Sequence, residues 1–504
     1  MWQFLKKEVS SHKFLYIILG LVLAYAFYLR IYRIDQLLGF YYDQGRDALV
    51  VWDLIKNGEL FLIGPTTGLA GIFRGPYYYY LIAPFYLLGN GNPVWPSVFL
   101  SFTTIAAVLI GFYLAFKAQS RITGLIFAVL AGFSYYIFQA SRWLSNPTPM
   151  LFLSMLLVWS MFEIIQNSKI KSQKWWILIA FVSGLSLFNF GSSGELFYFP
   201  ALLVFAISQR KKLPNLKYFA ISLVAFGVTF LPLVLFDFKH EHILLNNFTK
   251  TFGEQQSFTL PTQFLFDNRN EFFSSLLPKI IFHSFGKYEQ ILLLVVVVTF
   301  VLNSLNFLRN FKILATFLLL LSPFVGVYFY QGNDTVLYDY YLTGYYLIFL
   351  LLISIVLGKI WKSFLGKVFV VVFIYIFLQN NIAPIDWVLA NDLKGSESIA
   401  LQNQLQAIDW IYTDYKDNPP VGEVGFNVDV YVPPVIPYAY DYLFKWKSNP
   451  DLTTDQVPLL YTIYEVDPPH PERLGAWLAR QKGIGQVEYE QKFGGITVQR
   501  RSRY

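Results

Sequence analysis

Tyr41-Tyr42-Asp43-Gln44-Gly45-Arg46-Asp47 is the stretch on which the reading of this chain turns. It sets two carboxylates and a guanidinium side by side in a sequence that is 55% hydrophobic and only 14% charged. The apolar run before it, Phe14 to Leu29, is long enough with its flanks to cross a bilayer. That run has no clear small-residue cleavage site and continues into Tyr28-Leu29-Arg30-Ile31-Tyr32-Arg33, so it reads as a retained anchor. Lys6, Lys7 and Lys13 precede it, which favours the amino terminus inside and the acidic cluster outside, at the membrane surface. Such a cluster has two readings. Asp43 caps a solvated helix running through Arg46 to Ile55, or it is a catalytic carboxylate served from the lipid phase.

The composition narrows the choice. Cysteine is absent, which excludes disulfides and thiolate metal sites. The 5 histidines form no His-x-x-x-His pair, so a histidine-rich metal site is not expected. The net charge of +7 follows membrane topology rather than nucleic-acid binding.

A window of about 19 residues finds roughly eleven apolar spans. They lie near 14–30, 94–116, 122–140, 149–166, 175–190, 195–208, 218–236, 290–307, 313–330, 342–358 and 364–382. The pair at 175–190 and 195–208 is short and reads alternatively as a re-entrant hairpin. Loops assigned to the cytoplasm carry Lys117 and Arg121; Lys169, Lys171 and Lys174; Arg210, Lys211, Lys212 and Lys217; Arg309 and Lys312; and Lys359, Lys362 and Lys367. Glu8 is the only acid among them, a repeated positive-inside asymmetry. The first outer loop holds an amphipathic stretch, Arg46 to Asn57, and an aromatic one, Tyr77 to Leu88, both expected as helices in the interface. The expectation is a mainly α, polytopic membrane domain over residues 1–382. A small extracytoplasmic α/β domain follows over 383–504, with helices at 397–415 and 471–482 and strands at 425–432, 459–466 and 486–499.

This arrangement resembles the GT-C membrane glycosyltransferases, specifically bacterial relatives of protein O-mannosyltransferases and aminoarabinose transferases. Those enzymes carry a Tyr-x-Asp-Glu-x-Arg pattern after the first span, which here reads Tyr41-Tyr42-Asp43-Gln44-Gly45-Arg46. Their His-Pro-Pro-Leu-Tyr-Tyr motif corresponds to Arg74-Gly75-Pro76-Tyr77-Tyr78-Tyr79. Two positions depart from the pattern: Gln44 cannot act as a base, and Arg74 cannot ligate a metal. The resemblance covers residues 10–380 and implies transfer of a sugar from a polyprenyl-phosphate donor to a lipid, glycan or protein acceptor.

In that reaction a base must draw the proton from the acceptor hydroxyl, and Asp43 is the candidate. One carboxylate suffices, because phosphate leaves without acid assistance, whereas glycosidases use two. Tyr42, Gln44, Arg46, Asp47, Glu195 and Asp339 are candidate supporting or acceptor-binding residues. Arg74, Arg142, Lys279 and His283 are candidates for the donor phosphate. Lys239 and His240 follow a span exit, where loop charge is ordinary. Each has a plainer reading. Arg46 pairs with a neighbouring acid; Arg142 anchors beside Trp143; Lys279 and His283 face headgroups; Glu195 stabilises a helix start; and the tyrosines around Asp339 form an interface belt. No cofactor is called for; a divalent metal is left open and is not indicated. Asn247-Phe248-Thr249 and Asn333-Asp334-Thr335 match the N-glycosylation pattern, which is too short to carry weight. The rival classes are a flippase for lipid-linked glycans, disfavoured by the scarcity of mid-span charges, and an inactive scaffold, suggested by Gln44.

Overall fold

The computed structural model describes residues 8–67, 71–254, 258, 260–330, 336–420 and 425–504. Lys6, Lys7 and the Asn333-Asp334-Thr335 pattern lie outside them. Helices occupy all eleven apolar segments. Four single helices have the length and hydropathy to cross a membrane: α1 (Lys13–Ile31), α4 (Val94–Ala118), α10 (Leu216–Lys239) and α16 (Phe364–Leu389). A fifth, α15 (Thr343–Ile360), reaches that length with the 3-10 turn before it. A sixth crossing forms if α5 (Arg121–Phe133) and α6 (Tyr135–Arg142), bent by 59°, make one span. The break has a local cause. Ser134 Oγ accepts from the Ile137 N–H at 3.4 Å and donates to the Ile280 carbonyl at 2.7 Å, starting a new helix where the old one ends. The other five segments lie on shorter helices: α7 (Met150–Gln166), α8 (Lys169–Leu185), α9 (Tyr198–Ser208), α13 (Lys287–Leu302) and α14 (Phe311–Gly326). At 11 to 17 residues and about 1.5 Å per residue, their α-helical parts alone are shorter than a hydrocarbon layer of about 30 Å; α8 runs on into the π-helical turn Ser186–Phe190, and the 3-10 turn Ser193–Phe197 leads into α9. Helices therefore stand at all eleven expected places, and crossing length is reached at five or six of them.

Both helices of the first outer loop form, as α2 (Tyr42–Asn57) and α3 (Tyr77–Leu88). Helix α2 starts four residues earlier than the amphipathic pattern suggests. The Gln44 side chain accepts from the Tyr41 N–H at 3.1 Å and closes the first turn. In the second outer loop α11 (Ile243–Thr249) follows α10, and α12 (Gln263–Ile281) precedes α13.

Helix α16 runs unbroken to Leu389, so the boundary expected at 382/383 falls inside a helix. Beyond it, α17 (Leu401–Asp417) and α19 (Pro471–Ile484) flank a sheet of order β1-β2-β4-β3. β1 (Asn427–Tyr431) pairs parallel with β2 (Leu459–Glu465), placing Val430 opposite Ile463. β3 (Gly485–Phe493) and β4 (Ile496–Arg503) form an antiparallel hairpin, so the single strand expected at 486–499 is in fact two. It reverses at Gly494, whose φ of 60° suits glycine.

Helix α18 (Tyr438–Lys447) is absent from the sequence reading, and it packs directly against the start of α2. A Cβ on Gly45 would lie 2.3 Å from the Ala439 nitrogen, so only glycine permits α2 and α18 to meet. The Tyr42 and Tyr438 rings sit 4.9 Å apart beside that contact, and Lys445 pairs with Asp53 at 2.7 Å.

Candidate functional site

The acidic cluster is one face of the start of α2. Spacings of three and four residues bring Asp43, Arg46 and Asp47 together. Arg46 Nη1 lies 2.9 Å from Asp43 Oδ1, while Nε and Nη2 reach Asp47 Oδ1 at 2.9 and 2.8 Å. Arg46 also donates to Thr66 at 3.2 Å. The two carboxylates differ in environment. The Asp43 side chain is 53% exposed, whereas Asp47 is buried at 3% and also accepts from the Tyr79 hydroxyl at 3.1 Å. Burial pushes the Asp47 carboxyl up to about 6, with Arg46 and Tyr79 opposing the rise. Asp43 is thus the carboxylate that a substrate can reach. Gln44 is buried and turned away, donating to the Leu144 carbonyl at 3.3 Å.

The second feature is a cavity of about 800 Å³ with predominantly apolar walls from Phe73, Phe188, Leu196, Leu233, Val234 and Leu244. These come from the first outer loop, the turn after α8, the turn before α9, α10 and α11. Arg74 lines it and donates to the Leu187 carbonyl at 3.1 Å. Glycines set its position. The Gly75 N–H donates to the Phe188 carbonyl at 2.7 Å, and a Cβ there would lie 2.1 Å from the Asn189 amide oxygen. Burial lowers the Arg74 pKa from its ordinary range, with Glu195 opposing. Among the described residues Arg74 has no ion pair within 4.0 Å, and its hydrogen bond to Leu187 uses one of its five N–H donors. Asp237 and His242, also in the lining, pair with each other at 3.2 Å.

Tyr340 joins the two features: it lies within electrostatic reach of both Asp43 and Arg74. Its ring is 4.8 Å from that of Tyr341, which lines the cavity, and 5.6 Å from Trp143.

The remaining expected residues distribute unevenly. Glu195 is buried beside Arg74, with Oε2 accepting from the Ser192 N–H at 2.6 Å and Oε1 from the Gly344 N–H at 3.2 Å, the geometry of a helix start. Asp339 is exposed next to Tyr340. Arg142 spends Nη1 on the carbonyls of Leu29, Arg30 and Tyr32, at 2.8 to 3.1 Å, capping the end of α1. Lys279 and His283 are exposed at the end of α12, where His283 meets the ring of Tyr135. They do not line the cavity. Lys239 and His240 are exposed as well, with His240 stacked on Phe236. Tyr340 and Trp143 were not singled out as site residues from the sequence; the tyrosine density of 338–341 and the Arg-Trp pair at 142–143 are the signals that mark them, while Tyr79 stands in the Arg74–Tyr79 motif, which gave it no role of its own. Among the described residues no group of three or more His, Asp or Glu side chains is arranged to hold a metal ion.

Residues 73–236 match the family of dolichyl-phosphate-mannose-protein mannosyltransferases. The chain resembles the GT-C glycosyltransferases. The matched segment begins at the cavity, one residue before Arg74, and ends on its α10 wall; it leaves out the acidic cluster. Comparison with curated proteins finds no match. Among solved structures, ArnT from Cupriavidus metallidurans bound to undecaprenyl phosphate is 12% identical, with a TM-score of 0.57 over 96% of this chain and 97% of that one. The same protein in the apo state gives 9% identity and a TM-score of 0.62 over 97% and 98%. The Archaeoglobus fulgidus oligosaccharyltransferase in the apo form gives 11% and 0.51 over 94% and 73%. At these identities the likeness is one of fold, and it extends through the C-terminal sheet.

Proposed function

We propose that this protein transfers a sugar from a polyprenyl-phosphate donor to an acceptor hydroxyl at the outer surface of the cytoplasmic membrane. The observation that carries the proposal is the apolar cavity lined by a half-buried arginine with no ion pair among the described residues. An isoprenoid chain suits the walls, and a phosphate monoanion or dianion suits the guanidinium, which binds it with two parallel hydrogen bonds. The similarly folded ArnT was solved with undecaprenyl phosphate bound, which supports this choice.

The reaction then divides between the two features. Asp43 takes the proton of the acceptor hydroxyl as its oxygen bonds to the anomeric carbon. The bond from that carbon to the phosphate oxygen breaks, and the phosphate departs with the electron pair. Arg74 holds it and stabilises the charge that develops. Arg46, anchored by Asp47, fixes the orientation of Asp43. The layout proposed is eleven crossings, counting the shorter helices, with the amino terminus inside and the C-terminal domain outside.

Two experiments test this reading. Purified protein supplied with a polyprenyl-phosphate sugar should support transfer; efficient transfer from a nucleotide sugar with no polyprenyl phosphate present overturns the donor assignment. Because the chain has no cysteine, single cysteines introduced at Ser448 and Ser168, both exposed, report topology in intact cells. An impermeant thiol reagent should label the first and spare the second; the opposite pattern overturns the layout.

A further inference from the structure

Just before α15, with Tyr340 in electrostatic reach of Asp43, the structure gathers a group of aromatic rings. Tyr338 is 48% exposed and its ring stacks on that of Tyr340, with centroids 5.6 Å apart and planes 20° from parallel. Trp143 meets Tyr340 edge-on at 5.6 Å and 74°. Tyr338 is exposed, while Tyr340 and Trp143 are half-buried behind it, so the group presents an aromatic face at the surface. Between the two stacked tyrosines in sequence stands Asp339, exposed, and its carboxylate is held in place rather than neutralised. Oδ1 accepts from the Tyr340 N–H at 2.7 Å and Oδ2 accepts from the Tyr136 hydroxyl. The Tyr346 hydroxyl donates to the Asp339 main-chain carbonyl at 2.6 Å, fixing the backbone as well. Each carboxylate oxygen keeps a lone pair for a further donor. Among the described residues no cation lies within ion-pairing distance of it.

A pyranose ring fits these two requirements together. Its axial C–H face packs against an aromatic ring, and its neighbouring equatorial hydroxyls offer two donors spaced for one carboxylate. The aliphatic hydroxyl side chains of Ser and Thr carry no such flat apolar face. We propose that Trp143, Tyr338, Tyr340 and Asp339 form a saccharide subsite that holds one pyranose ring of the acceptor next to Asp43. This rests on the transfer reaction proposed above and names its acceptor class: a glycan or glycolipid rather than a polypeptide. The subsite is assigned to the acceptor because Tyr340 lies within electrostatic reach of Asp43, the base proposed for the acceptor hydroxyl.

The test uses the full chain in lipid nanodiscs free of sugar-based detergent. Binding of methyl mannoside and methyl glucoside is followed by tryptophan fluorescence, with a threonine-containing peptide as the rival probe and undecaprenyl phosphate as a separate probe of the cavity. At least one methyl glycoside should bind. Trp143→Ala and Tyr340→Ala should each weaken it between about threefold and tenfold, the range for a lost aromatic contact. Asp339→Asn should weaken it as well, and all three should leave undecaprenyl phosphate affinity unchanged. Trp143→Phe, which keeps a ring, should recover most of the binding and serves as the variant of choice if alanine unfolds the protein. Glycoside binding that ignores every substitution overturns the subsite. So does binding of the peptide in place of the glycosides. Competition from undecaprenyl-phosphate mannose, but not from undecaprenyl phosphate, assigns the ring to the donor and overturns the acceptor role. If glycosides fail while undecaprenyl phosphate binds, this inference falls and the proposed transfer stands; if undecaprenyl phosphate fails too, the transfer reading falls.

Discussion

The acidic cluster and the apolar cavity are built on opposite electrostatic plans. At the start of α2 a single guanidinium is shared between two carboxylates, so the charge is spent internally and only Asp43 faces outward. In the cavity a single guanidinium, Arg74, has one hydrogen bond to a carbonyl and no ion pair among the described residues. A group already paired gains little from a ligand, whereas a half-buried cation without an ion-pair partner gains more. The comparison teaches that one end is suited to a reaction step and the other to holding an anion, and that substitutions can separate the two.

The largest separation is expected at Asp43. Asp43→Asn should lower transfer by ~10²–10⁴, the scale of a lost general base, while undecaprenyl phosphate binds normally; turnover assays beside a binding isotherm check both. Near-normal turnover removes Asp43 from the chemistry. Next comes the cavity. Arg74→Ala should weaken undecaprenyl phosphate binding by ~10–100-fold, the worth of a charged hydrogen bond, with Arg74→Lys intermediate because it keeps charge without the fork. Arg142→Ala is the control. It should lower thermal stability, since it uncaps α1, and leave that affinity alone. Equal effects from the two arginines would erase the distinction between them.

A smaller effect concerns pH. Asp47 is ionised above about pH 6 and then holds Arg46; below that it takes up a proton and the grip loosens. Transfer should therefore show an acid limb near pH 6 that Asp47→Asn flattens. The limb is not unfolding. A buried carboxyl whose pKa is raised from 3.8 binds protons better in the folded state, so its contribution to stability grows as pH falls from about 6 towards 3.8. Melting curves across that window, run beside the activity profile, distinguish the two. The smallest expected change is structural. Gly45→Ala forces α2 off α18 and should cost ~1–3 kcal/mol, seen as a lower melting temperature with lipid binding retained.

The two regions were also unequally visible in the sequence. Asp43, Arg46 and Asp47 share one helical face because they lie three and four residues apart, and that spacing is legible in any alphabet of residues. The helical positions were legible for the same reason, since apolar blocks are contiguous. Crossing lengths were not, because hydropathy does not report where Ser134 stops one helix and starts another. The cavity was invisible for a different reason: its walls come from segments as distant as Phe73 and Leu244, and only packing brings them together. Arg74 and Arg142 look alike in the sequence, each beside a glycine or proline break. What separates them is the carbonyls each one finds, three for Arg142 at the end of α1 and one for Arg74. Gln44 reads as a lost acid, yet its amide closes the first turn of α2. Helix α18 escaped because its proline-bounded, tyrosine-rich segment has no long apolar period.

The most direct measurement is a structure of the full chain with undecaprenyl phosphate bound. The account predicts the phosphate within hydrogen-bonding distance of Arg74, the isoprenoid chain between Phe188 and Leu233, and Asp43 open to the acceptor side. A phosphate seated instead at Arg142, or at Lys279 and His283, with the cavity lacking lipid, would contradict it.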